Sequence, residues 1–178
     1  MKWVKTFEDY QVSEGFRYHM ENGLDITNSV YRIGSKAYKN LFEETKQYWD
    51  ENNIILSDKA AWMAKNLEVG KKAKFKDAGG KMIDVELDTP GRGGDQKFFV
   101  YHNSGKEDEE GNIIATKIQW GDTGLSIKND DPGAAASFWA RHQCDLKKKM
   151  DPTTKGFWAC YASSLFSKQL GLVSDSPW

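Results

Sequence analysis

The residues best suited to chemistry are concentrated between Trp120 and Phe166. This stretch reads W-G-D-T-G-L-S-I-K-N-D-D-P, then S-F-W-A-R-H-Q-C-D, then D-P-T-T-K-G-F-W-A-C, and holds three of the seven Trp, one of the three His and both Cys. His142, Cys144 and Cys160 are the sharpest metal candidates, because imidazole and thiolates suit zinc and Asp145 or His102 would complete a tetrahedral set. The H-x-C spacing with one distant Cys does not match the paired C-x-x-C of common zinc sites. A Cys144–Cys160 disulfide and two buried thiols therefore stand beside zinc as readings, and the chain is expected to hold no metal and no cofactor.

Other reactive constellations are incomplete. Asp122, His142 and a Ser would supply the groups of a hydrolase triad, but no G-x-S-x-G or comparable nucleophile signature is present. The H-x-E and P-C-x-x-C halves of the zinc deaminases lack their Glu and their second half here. No catalytic residue is assigned, and the chain is expected not to be an enzyme. In the loop G-R-G-G-D-Q-K, glycines would let backbone N–H groups approach an anion, with Arg92 and Lys97 adding charge. Without a G-K-[ST] ending and a following helix, it reads as a flexible hairpin loop. Lys147, Lys148 and Lys149, flanked by Arg141 and Lys155, form the one concentrated basic patch, fit for phosphate or for an acidic protein surface. With Arg92 they are the candidate binding residues.

The elements that must position these residues follow from periodicity. Residues 1–34 show no sustained period and read as an extended N-terminal arm that orders on a partner. Tyr38, Leu41, Phe42, Tyr48 and Trp49 recur at helical spacing behind Ser35, which predicts a helix over 36–50. Ser57-Asp58 opens a second helix carrying Ala61, Ala64 and Leu67 and closed by Gly70, so 35–70 reads as a helical hairpin. Alternation around Ala73 and Phe75, then Ile83, Val85 and Leu87, then F-F-V-Y-H and I-I-A-T-K-I-Q-W, predicts an antiparallel β-meander of about four strands over 71–122. Asp131-Pro132 and Asp151-Pro152 open two helices in the C-terminal part, 123–178. The predicted class is α+β, with residues 35–178 forming a single domain.

Composition sets the outer bounds. At 178 residues, 39% hydrophobic and net charge −1, the chain suits one principal core and has no global electrostatic footprint for nucleic acid or an anionic membrane. Its apolar runs fall well short of the roughly 20 residues that span a bilayer, and M-K-W-V-K-T-F-E-D-Y lacks a secretory apolar core. A protein made in the cytoplasm, with no membrane partner, is expected.

Taken in order, Trp120-Gly121-Asp122, Asp131-Pro132, the helix Phe138 to His142 running on to Cys144-Asp145, and Thr154 to Trp158 resemble a family of tailed-bacteriophage virion proteins, related to uncharacterised proteins of large nucleocytoplasmic DNA viruses. The upstream L-D-T-P-G-R-G-G-D-Q-K-F-F-V-Y is similar to the strand preceding this turn in phage members. The resemblance covers residues 87–166, about half of the chain. It implies a capsid- or neck-associated minor or decoration protein located in the virion, made in the host cytoplasm, with a metal-dependent enzyme or processing factor carried by the phage, or a DNA-binding head component, as the alternatives. Its implied partners are the major capsid or neck proteins, with packaged DNA as a further contact. It also implies a structural framework of Trp120, Asp122, Trp139, Arg141, His142 and Trp158, in which Arg141 and His142 pair with Asp122 or with backbone carbonyls. Phage members often carry R-R-K before the A-R-H helix, where this chain has Gly133-Ala134-Ala135-Ala136, and the large-virus relatives lack the Cys pair. The start M-K-W-V-K-T-F-E-D-Y with V-S-E-G is similar to leaders of proteins directed into the prohead of T-even-like phages, which implies a cut after Glu14.

Overall fold

Three serines start the three N-terminal helices. The hydroxyls of Ser13, Ser35 and Ser57 accept the backbone N–H groups of Phe16, Tyr38 and Ala60, each satisfying a donor that a helix start leaves open. The helices are α1 (Glu14–Glu21), α2 (Lys36–Asp50) and α3 (Asp58–Asn66). The computed structural model describes residues 2–3, 12–32, 34–51, 53–124, 131–144 and 151–166. The chain divides into two compact units, Met1–Val69 and Gly70–Trp178.

In the first unit, α2 spans the residues its periodicity predicts and buries Tyr38, Leu41, Phe42, Thr45 and Tyr48. Two short strands, β1 (Lys2–Trp3) and β2 (Ile54–Ile55), pair antiparallel. Residues 12–32 are not an extended arm. Helix α1 buries Phe16, His19 and Met20, and the Phe16 ring lies 5.2 Å from that of Tyr48. Both the backbone N–H and the hydroxyl of Ser13 donate to Glu44 of α2, at 2.8 and 2.5 Å. A 3₁₀ turn at Ile26–Asn28 follows, and the Tyr38 hydroxyl donates to the Ile26 carbonyl at 3.0 Å. Burying Phe16, Met20 and Ile26 contributes about 1.5–3 kcal/mol each toward offsetting the conformational entropy lost when the segment is ordered. The domain division accordingly falls after Val69, not at Ser35. Glu14 opens α1, so the bond after it lies in a helical first turn.

The second unit is built on hairpins, and together with its helices it makes the chain α+β. Strands β3 (Lys72–Lys76) and β4 (Met82–Glu86) pair antiparallel across the Ala78–Gly80 turn. Strand β5 (Gly91–Arg92) pairs antiparallel with β6 (Phe98–Glu107), which pairs antiparallel with β7 (Ile113–Trp120). The sheet is not the expected meander. It has five strands in the order β4-β3-β7-β6-β5, and β3 runs parallel to β7 through Lys74 and Ile114. The sheet also curls: Leu87, just past β4, bridges Tyr101 of β6, and the Asp88 N–H donates to the Tyr101 carbonyl at 2.8 Å. Ala73, Val85, Leu87 and Ala115 form the core within the curl, with Phe75, Ile83, Tyr101 and Ile113 packed on it.

Helix α4 (Pro132–His142) is capped by Asp131, whose carboxylate accepts from Gly133 and Ala134. It ends where Gln143 turns left-handed (φ 52°) and the Cys144 N–H returns to the Trp139 carbonyl. Helix α5 spans Lys155–Phe166.

Candidate functional site

Alternation along β6 and β7 places side chains on both faces of the sheet. Phe98, Val100 and His102 share one face of β6 with buried Ile118 and Trp120 of β7. On that face the Trp120 indole stacks with Trp158 of α5 at 5.7 Å, and the Phe98 ring lies 5.6 Å from Trp120. Phe157 meets Trp158 edge-on at 5.1 Å, and both are fully buried. The Trp158 Nε1–H donates to the Pro152 carbonyl at 2.7 Å, which satisfies the indole's single polar group as burial demands. The Trp120 turn and the G-F-W helix, distant in sequence, thus form one aromatic stack.

The remaining framework residues do not join it as expected. Asp122 is exposed and its carboxylate accepts from the Gly124 N–H at 2.7 Å, closing a local turn. Arg141 and His142 are exposed on α4, and the His142 ring lies 4.3 Å from that of Phe138. Among the described residues no ion pair joins Asp122 to either of them. Arg141 and His142 lie together in the exposed last turn of α4. Trp139 is half-buried.

Cys144 and Cys160 are bonded to each other, with S–S 2.09 Å and Cα–Cα 5.6 Å. That resolves the three readings of the pair in favour of the disulfide and removes both thiolates from any zinc set with His142. Among the described residues no cluster of three or more metal-ligating side chains occurs. His102, the other candidate ligand, is engaged elsewhere. Lys147, Lys148, Lys149 and Asp145 lie outside the described residues. Arg92 is exposed at the sheet edge, its guanidinium 5.3 Å from the Phe98 ring centroid, a cation–π distance.

Sequence reasoning missed the pair Asp88–His102. Asp88 is fully buried, and the His102 Nδ1–H donates to its carboxylate at 2.6 Å. With its backbone left-handed (φ 48°), Asp88 bonds β6 through its N–H and its side chain together. The pair fastens the end of β4 to β6 and so holds the curl. The parity of Phe98, Val100 and His102 was the available signal, since it places the imidazole on a buried face. His19 in the first unit was missed likewise. Its Nδ1–H donates to the Gly15 carbonyl at 2.7 Å, so its Nε2 accepts from the Ser29 hydroxyl at 3.1 Å. Burial disfavours the charged ring more than the Gly15 carbonyl favours it, and the pKa lies below the usual histidine value.

No helix among the described residues is long and apolar enough to cross a membrane. No protein-family model matches the chain, and no curated protein or solved structure shows detectable similarity to it.

Proposed function

We propose that this chain is a virion structural protein of a tailed bacteriophage, a capsid- or neck-associated minor or decoration protein that binds neighbouring shell subunits. The observation that carries the reading is the ordered set of motifs over residues 87–166. Its two most bulky elements, the Trp120 turn and the Trp158 helix, meet in one buried stack. Such a stack fixes the shape of a module and offers no reacting group, which suits binding better than catalysis.

The contact surface falls on α4. Phe138, Arg141 and His142 are all exposed there, and aromatic and arginine side chains are the groups in which protein interfaces are enriched. Residues 12–32 are packed within the first unit, so assembly through a late-ordering arm is no longer part of the mechanism. The partners on this reading are the major capsid or neck proteins, with packaged DNA as a further contact. The test is to purify particles of the encoding virus to constant composition, quantify the chain by mass spectrometry and locate its density. A fixed copy number on the shell or neck is expected, and Phe138→Ala with Arg141→Glu should reduce incorporation about thirtyfold, the scale set by one interface hot spot of about 2 kcal/mol. Recovery of the chain only in the lysate, never in purified particles, would sink the reading.

A further inference from the structure

Helices α4 and α5 are joined by the Cys144–Cys160 disulfide, yet they are anchored unequally. Phe157, Trp158 and Cys160 of α5 are buried, Trp158 stacks on Trp120 of β7, and its Nε1–H donates to the Pro152 carbonyl. These contacts hold α5 on the sheet whatever the state of the sulfurs. Helix α4 has no such footing. Among its described side chains, Ser137, Phe138, Arg141 and His142 are exposed, and Ala134 and Trp139 are half-buried. The fully buried anchor is Cys144, two residues past the end of the helix.

The sulfur of Cys144 is coupled closely to α4. Gln143 turns left-handed, and the Cys144 N–H donates back to the Trp139 carbonyl at 3.1 Å, so the cysteine moves with the last turn. A helix of 11 residues is marginal in water when nothing holds it. The seating of α4 therefore depends on where Cys144 is held.

We propose that the Cys144–Cys160 bond is a thiol-controlled latch: oxidised, it seats α4 against α5, and reduced, it frees α4 while α5 stays in place. In the reducing direction a thiolate of a small dithiol attacks one sulfur and the S–S bond breaks with formation of a mixed disulfide, which the dithiol's second thiolate then displaces. Two electrons and two protons pass to the cysteines, and the dithiol leaves as its cyclic disulfide. Both cysteines are buried, so the attack waits on a local opening, and a weakly anchored helix is the part of a fold that opens most readily. Where a thiol pool keeps such pairs reduced, α4 is released; in oxidising surroundings it is seated. On the reading of α4 as the docking face, reduction withdraws that face; this consequence rests on that reading, whereas the latch itself is measured on the chain alone.

The test is amide hydrogen exchange of the full ¹⁵N-labelled chain, first oxidised and then after dithiothreitol has converted both cysteines to thiols, with reduction verified by mass on an alkylated aliquot. On reduction the amides from Ala136 to His142 should exchange about a hundredfold faster, the scale on which closing a loop of this length constrains the open chain. The amides of β6 and β7 and the Trp158 indole N–H should keep their protection. Reoxidation with glutathione disulfide should restore slow exchange in α4. Cys144→Ser with Cys160→Ser should match the reduced protein without any reductant, and the comparison of wild type with itself gives a reading that does not depend on the variant folding. Unchanged exchange of α4 after complete reduction would overturn the proposal, because α4 would then hold without the bond. So would loss of protection in α4 and β7 together, which would make the bond a brace for the whole unit, and so would a bond that dithiothreitol reduces only once the unit is unfolded.

Discussion

At the scale of single residues, buried polar groups hold positions that apolar residues alone would not specify. His19 is fully buried in α1 and neutral, with one ring nitrogen donating to Gly15 and the other accepting from Ser29. Because burial lowers its pKa below the ordinary 6.5, the unfolded chain takes up a proton at a pH where the folded chain does not. Stability should therefore be unaffected by this residue above about 6.5 and should fall as pH drops below it. His19→Gln should remove that component. Urea midpoints measured across this window are expected to slope less steeply for the variant than for wild type, and parallel slopes would count against the assignment. This role was not legible from residue types alone. An isolated His in a segment without sustained period looks solvated, and only the folded unit, with the Tyr31 ring 5.2 Å away, makes it internal.

At the scale of elements, the local rules succeeded where the determinants are local. Ser35 and Ser57 mark helix starts, Ala78–Gly80 marks a turn and Asp131-Pro132 opens α4, each where the side-chain chemistry predicts. Failures occur where the partner is far along the chain. Nothing near β3 announces a parallel pairing with β7, and α1 is eight residues long, too short for periodicity to stand out. Ser57 illustrates how a local cap acquires a distant duty: it caps α3 and also donates to Asp25 at 2.6 Å. Burial would raise the Asp25 carboxyl, but hydrogen bonds from Ser57 and Thr27 overcome it and hold the pKa below 3.8. The resulting stabilisation is present above that value and is lost as pH falls through the depressed one. Ser57→Ala removes cap and charged hydrogen bond together and should cost about 2–3 kcal/mol near neutral pH. Denaturant unfolding checks this, and a loss near that of a cap alone would show that Asp25 finds another donor.

At the scale of the whole molecule, the chain is two units, each with its own core, and the candidate surfaces belong to the second. The first is helical with one short pair of strands; the second wraps a five-stranded sheet around a small apolar core and covers one face with α5. The α+β class was legible because it needs only the types of elements. The curl was not, since it depends on Leu87, Asp88, Tyr101 and His102 meeting across β4 and β6. The disulfide has a further effect on connectivity. Cys144 and Cys160 are 16 residues apart, and Lys147, Lys148 and Lys149 lie between them in sequence, so the basic patch is carried on a covalent ring. A protease that cuts at those lysines opens the ring without dividing the molecule. In a tryptic digest made without reduction, the peptides bearing Cys144 and Cys160 should stay linked and separate only after reduction, whereas their separation without reductant would show the thiols unpaired. Such a nick would be a hidden break, its two ends held together until the surroundings turned reducing.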